Sequence, residues 1–118
     1  MKSSCTIIIS HFNSLPFLRA CIRQVRKYKH ENIRQNIIIS DQSGEGIYDE
    51  VIYEFENEKD IIVVHSQPLY SGYGIDYIMR NSCISTEYVC QLHVDCFPIH
   101  KNWLYMPIGL MKENDFKF

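Results

Sequence analysis

The chain has 118 residues, of which 46% are hydrophobic and 22% charged, and its formal net charge is −2. This composition suits one globular domain with one core and excludes a disordered chain. The slight negative balance gives no case for nucleic-acid binding, and no apolar run approaches the ~18 residues needed to cross a bilayer.

The amino terminus, Met1-Lys2-Ser3-Ser4-Cys5, leads straight into an apolar run and lacks the layout of a signal peptide. A cytoplasmic location is the expectation. The five cysteines, Cys5, Cys21, Cys83, Cys90 and Cys96, are odd in number and scattered, with no CxxC pair. No disulfide framework or zinc module follows, and they read as small buried residues in a reducing compartment. Arg19, Arg23, Arg26, Lys27 and Lys29 alternate with apolar residues at helical spacing. They read as a solvated helix face, with peripheral contact to an anionic membrane as the functional alternative.

In chain order, Thr6-Ile7-Ile8-Ile9-Ser10 is a β-branched run and predicts a buried strand. Ser14 is placed to cap the next helix, with Pro16 in its first turn. From Leu15 to Lys29, the residues Leu18, Cys21, Ile22, Val25 and Tyr28 recur at three and four and make one helix face. Asn36-Ile37-Ile38-Ile39-Ser40 predicts a second strand, and Asp41-Gln42-Ser43-Gly44 a turn. A helix follows over 47–58, then a third strand, Ile61-Ile62-Val63-Val64-His65. Residues 66–74 read as a loop and 75–82 as a short helix. Tyr88-Val89-Cys90-Gln91-Leu92 is short, apolar and free of Gly and Pro, which suits a strand covered on both faces. A last helix is expected over 103–112, kinked or interrupted by Pro107. The alternation β-α-β-α-β-α-β-α predicts an α/β fold of Rossmann-like type: one domain over 1–118, a parallel sheet with helices on both faces.

Polar residues gather where the strands end. The first strand gives Ser10, His11 and Asn13, the second Asp41, the fourth His93 and Asp95. Right-handed crossovers put these ends on one edge of the sheet. The gap between the first and fourth strands is then the point where the winding reverses, the usual ligand crevice. Asp41 is a candidate acceptor for hydrogen bonds from a base or ribose. Asp95 is a candidate ligand for a hard divalent cation bridging two phosphates. Arg80, in the helix before the fourth strand, is a candidate phosphate partner. The bland readings are turn carboxylates for Asp41 and Asp95 and a solvated helix residue for Arg80. His11, His30 and His65 also read as ordinary surface or core histidines. His93, Asp95, Cys96 and His100 are all possible zinc ligands, but their spacing matches no zinc motif. On an extended strand His93 and Asp95 share a side and Cys96 takes the other. Ser71-Gly72-Tyr73-Gly74 is a lone GxG before a helix, which is weak.

Four segments in register resemble the amino-terminal, nucleotide-binding half of a family 2 glycosyltransferase with the GT-A fold. Residues 6–13 resemble the family's opening strand and its "TYN" segment. Residues 37–44, Ile-Ile-Ile-Ser-Asp-Gln-Ser-Gly, resemble "IIVVDDGS", with Asp41 at the first Asp. Residues 72–81 resemble the stretch ending in "ARN", with Arg80 at the arginine. Residues 86–95 resemble "GEYILFLDSD", ending in the DxD motif. His93 stands at the first Asp of that motif, Asp95 at the last, and Gln42 at the second Asp of the earlier one.

The resemblance implies a nucleotide-sugar site with Ser10, His11, Asn13, Asp41, Arg80 and His93 around the nucleotide. Asp95 meets Mn²⁺ or Mg²⁺. A UDP-sugar is the favoured donor, with a GDP-sugar as the other choice, and a saccharide or lipid hydroxyl accepts the sugar. The family's acceptor half and catalytic base come after the equivalent of Phe118. The alternatives are a nucleotidyltransferase, disfavoured because His11-Phe12-Asn13-Ser14 contains no Gly, and a catalytically inactive or partner-dependent Rossmann-like binding domain or fragment. A sheet lacking later strands leaves an open edge, which favours homo-oligomers.

Overall fold

The computed structural model describes residues 2–65, 71–81 and 84–114, with backbone alone for residues 71–75. Eight elements alternate as read from the sequence: β1 (Ser3–His11), α1 (Leu15–Lys27), β2 (Ile33–Asp41), α2 (Glu45–Phe55), β3 (Ile61–His65), α3 (Ser71–Asn81), β4 (Tyr88–His93) and α4 (Tyr105–Glu113). All four strands are parallel, in the order β3-β2-β1-β4. The chain winds from β1 outward to β3, then crosses back over the sheet and sets β4 on the other side of β1. The winding thus reverses between β1 and β4.

The isoleucines of β1 and β2 divide by parity, because successive side chains on a strand take opposite faces. Ile7, Ile9, Ile37 and Ile39 join Leu18, Cys21, Ile22 and Val25 of α1, Val51 and Phe55 of α2, and Ile108 of α4 in the main core. Ile8 and Ile38 point the other way and meet Ile78 of α3, flanked by Val64 and Ile84. Each fully buried Ile contributes about 1.5–3 kcal/mol through removal from water. The first face is therefore thickly covered by three helices and the second by α3 alone.

This asymmetry corrects the expectation for β4. The strand alternates, with Tyr88, Cys90 and Leu92 partly buried against the main core and Val89, Gln91 and His93 exposed. It lies at the sheet's edge, and α3 rests on β1 and β2. Val89 and, on the other edge strand, Ile62 are left 41% and 56% exposed.

Helix limits differ from the sequence reading for local reasons. α3 begins at Ser71, inside the stretch read as a loop; residues 66–70, Ser82 and Cys83 lie outside the described residues, as do the side chains of the GxG segment. Ser14 is the residue before α1 but does not cap it: its hydroxyl donates to the Phe12 carbonyl at 2.8 Å. Pro107 neither kinks nor interrupts α4, because the helix starts at Tyr105 and the proline falls in the first turn. The N–H it lacks has no intrahelical acceptor there.

Candidate functional site

The parallel register sets the strand ends side by side. Asp41 is level with His11 on one side and His65 on the other, and Ser10 is level with His93. Parity then separates the candidates. His11 and Asp41 lie on the face covered by α1 and α2, whereas Ser10 and His93 lie on the face covered by α3.

His11 and Asp41 form a closed polar network. The His11 and Asp41 side chains are fully buried, and His11 Nδ1 is 2.7 Å from Asp41 Oδ1. The Ser14 backbone N–H donates to His11 Nε2 at 2.9 Å. That nitrogen must therefore be the acceptor, which leaves the proton on Nδ1 and makes His11 the donor to Asp41. Ser43 Oγ donates to the same carboxylate oxygen at 2.8 Å and accepts the Asn13 N–H at 2.8 Å. Asn13 holds a positive φ of 47°, a conformation that asparagine tolerates better than most residues. Its Oδ1 also accepts from the Gly44 N–H at 3.3 Å. These bonds join the loop after β1 to the loop after β2. His65 supports the second loop from beneath, through a 3.0 Å bond between Nε2 and the Ser43 carbonyl and a stack on Tyr48 at 4.1 Å.

The other Asp41 oxygen, Oδ2, is shut off from solvent and has no hydrogen-bond partner among the described residues. A buried acceptor left unmade costs about 1–3 kcal/mol, more for a charged group. Ser10 Oγ is the second orphan at this edge. It is one strand from Asp41 and faces the other side of the sheet, beside the exposed His93.

Beyond His93 the chain leaves the strand. The Cys96 N–H donates to the His93 carbonyl at 3.0 Å and closes a turn that holds Asp95 exposed. The strand alternation assumed for His93, Asp95 and Cys96 therefore does not apply. The Asp95 carboxylate accepts only a weak contact from Cys96 Sγ, at 3.7 Å. No three His, Cys, Asp or Glu side chains converge on a possible metal position among the described residues. The donor set at this turn is thus one free, exposed carboxylate. Such a set fits Mg²⁺ or Mn²⁺, since these ions take one or two protein carboxylates and complete their shell with substrate phosphates and water.

Arg80 stands apart from these groups. α3 follows the end of β3 and leads back to the start of β4, so it runs antiparallel to the strands. Arg80, in the last turn, lies roughly 13 Å along the axis from Ser71 at about 1.5 Å per residue. It is therefore toward the edge where strands begin, and its guanidinium pairs with Asp76 one turn back at 2.9 Å. The geometry brings His11, Asn13 and Asp41 together, sets Ser10 and His93 side by side, places Asp95 just past them, and leaves Arg80 out. Ser43, absent from the sequence candidates, is central to the network. Its spacing two residues after Asp41 is the available signal, because a hydroxyl there can turn back onto the carboxylate.

The sequence matches Glycosyl transferase family 2 over residues 6–118. The chain belongs to that family. No curated protein sequence matches it. Two solved structures share its fold at 14% identity. One is the mannosyltransferase PcManGT from Pyrobaculum calidifontis in complex with GDP-Man and Mn²⁺, with a TM-score of 0.76 over 94% of this chain and 33% of that one. The other is S. aureus TarS 1–349, with a TM-score of 0.72 over 98% of this chain and 33% of that one. The family 2 chain thus spans about a third of the length of each structure, and its four-stranded parallel sheet has the GT-A form.

Proposed function

We propose that the chain supplies the donor-nucleotide half of a metal-dependent glycosyltransferase. The observation that carries this reading is the buried Asp41. One carboxylate oxygen accepts from His11 and Ser43, and the other is held in place with no hydrogen-bond partner among the described residues. A nucleobase imide or amine N–H, or a ribose hydroxyl, would supply the donor that Oδ2 lacks among the described residues, once the groups covering that oxygen move aside. His11 and Ser43 fix the carboxylate, so little freedom is lost on binding.

Ser10, Asn13 and His93 flank the same sheet edge and would contact the nucleotide beyond its base. Asp95 would hold Mn²⁺ or Mg²⁺, and the bound cation would offset the charge developing on a departing diphosphate, a Lewis-acid role. Because His93 occupies the place of the family's first carboxylate, Asp95 would be the protein's single carboxylate on the cation. Arg80 would reach the phosphates only by leaving Asp76. Support for a nucleotide sugar comes from the shared family and from the fold common to a mannosyltransferase that holds GDP-Man and Mn²⁺. Transfer of a sugar to an acceptor hydroxyl would need further groups. The chain alone would then act as a binding half, dependent on a partner or on further sequence.

Calorimetric titration tests this. UDP and GDP are added with and without Mn²⁺ to wild type, Asp41→Asn and Asp95→Ala. Binding of one nucleotide is expected, lost in Asp41→Asn, with the Mn²⁺-dependent part alone lost in Asp95→Ala. A folded wild type that binds neither nucleotide would refute the proposal.

A further inference from the structure

A second polar region lies at the opposite edge of the sheet, where the strands begin. A cavity of about 650 Å³ is lined there by Lys2, Lys27, Lys29, Arg34 and Lys101, with Ile33 in its wall. Five of the chain's 12 basic residues thus meet at one place, against one carboxylate, Glu31, out of 14 acidic residues. A chain with net charge −2 therefore carries a locally cationic end.

Of the rest of the basic face read from α1, Arg19 and Arg26 are neutralised, and Arg23 has no ion pair among the described residues. Arg19 pairs with Glu54 at 2.8 Å, and Arg26 with Asp60 at 2.7 Å and Glu58 at 3.6 Å. In the cavity only Lys101 has an ion pair among the described residues, to Glu31 at 3.3 Å, with both side chains more than half exposed. Lys27 sits over the Tyr28 ring at 5.3 Å. No other carboxylate among the described residues pairs with this positive charge.

Exposed apolar residues occur on the segments that adjoin the cavity. His30, which lines it, stacks flat on Tyr105 at 4.1 Å and 5°. Tyr105 opens α4, and the next residue, Met106, is 61% exposed, as is Leu110 one turn on at 55%. Ile99, two residues before Lys101, is 79% exposed. A soluble anion has no use for these side chains. Exposed methionine, leucine and isoleucine beside lysines with long apolar stems fit the boundary between lipid head groups and acyl chains.

We infer that this edge docks on an anionic membrane surface, with lipid phosphates in the basic cavity and Ile99, Met106 and Leu110 entering the acyl boundary. The docked protein presents its other edge, with Asp41 and Asp95, to the aqueous side. The inference does not depend on the nucleotide proposal, and the two are read by separate assays.

Sedimentation with phosphatidylglycerol–phosphatidylcholine vesicles, against pure phosphatidylcholine, tests it on the 118-residue chain. Binding to the anionic vesicles alone is expected, weakening as salt screens the charges. Lys27→Gln with Arg34→Gln should lower the partition about 25-fold, at about fivefold per charge near an anionic surface. Both side chains are exposed, so folding is spared. Met106→Ser with Leu110→Ser should weaken binding at high salt more than at low salt. Nucleotide titration of these variants should match wild type. Equal binding to both vesicles, or unchanged binding by the Gln variant, overturns the inference. So does release by inorganic phosphate where chloride of equal ionic strength has no effect, since the cavity then takes a soluble anion. Tighter binding to an RNA oligonucleotide than to the vesicles also overturns it.

Discussion

Replacing His11 by alanine removes a donor from a carboxylate that water cannot reach. The lost bond is a 2.7 Å contact to a charged acceptor, of a kind that contributes about 1.5–3 kcal/mol. The Ser14 N–H also loses its acceptor, but Ser14 is only half-buried and water can take over, so this adds about 1 kcal/mol at most. Together these give a loss of about 2–4 kcal/mol, which reaches the lower part of the range for breaking a buried pair. Asp41→Ala should cost about 3 kcal/mol, since it strands the His11 and Ser43 donors. A domain of this size has about 5–15 kcal/mol in hand, so each variant should remain folded. The double variant should cost about 2 kcal/mol less than the two single losses together, because the second substitution removes a group already orphaned by the first. Urea denaturation followed by circular dichroism measures all four proteins, with unchanged slopes as the check on two-state behaviour. If the two losses add to within about 0.5 kcal/mol, the pair is uncoupled, and the account of a carboxylate fixed by His11 fails.

Hydrogen bonding from Arg26 holds the Asp60 carboxyl below its ordinary value, more than partial burial raises it. A depressed folded pKa means stability present above the unfolded value and lost as pH falls through the folded one. Asp60→Asn should therefore cost under about 1 kcal/mol at neutral pH, in keeping with the exposure of the pair, and progressively less as acid protonates the carboxylate in the folded state. Melting temperatures across pH 2–7 would show a constant difference if this linkage is absent. Burial pushes the Cys5 thiol up to about 12 and the Cys21 thiol up to about 11, while Cys96 is exposed. Alkylation at pH 8, mapped by mass spectrometry, should therefore mark Cys96 ahead of Cys5 and Cys21, which need unfolding first. Ile78 is the fully buried anchor of α3 on the thinly covered face. Ile78→Ala should cost about 2–5 kcal/mol and speed amide exchange through α3, whereas the half-exposed Val89→Thr should cost under about 1 kcal/mol.

The sheet was legible in the sequence because its signal is local. Ile7-Ile8-Ile9 and Ile37-Ile38-Ile39 announce strands covered on both faces, and the helical spacing of Leu18, Cys21, Ile22 and Val25 announces the face that covers one side. Tyr88–Leu92 reads the same way by composition, yet its surroundings differ. Whether a strand lies inside or at the edge depends on which neighbours the crossovers supply, and the strand's own residues do not carry that information. The candidate site was legible to the same extent. Asp41 and Asp95 fall at strand ends, where a parallel sheet collects its ligand groups. The partnership of His11 with Asp41 depends on the strand register and the tautomer, which needed the Ser14 N–H to decide. Arg80 precedes the fourth strand in the sequence, yet about two and a half turns of α3 separate it from the helix start, and it pairs with Asp76.

The position of β1 at the centre of the sheet has a consequence for how the chain is made. Its two neighbours arrive at very different times: β2 begins at Ile33, whereas β4 pairs Tyr88 with Cys5 across most of the sequence. At about 5–20 residues per second of synthesis, the stretch from Asp41 to His93 takes roughly 3–10 s to appear. Throughout that interval one side of Thr6–Ser10 has no strand to bond with, and it is an uncharged, isoleucine-rich edge of the kind that joins other chains. The nascent protein is then most vulnerable to aggregation at the strand that is deepest once folding is complete. Conditions that slow translation between β2 and β4 should raise its demand for chaperones.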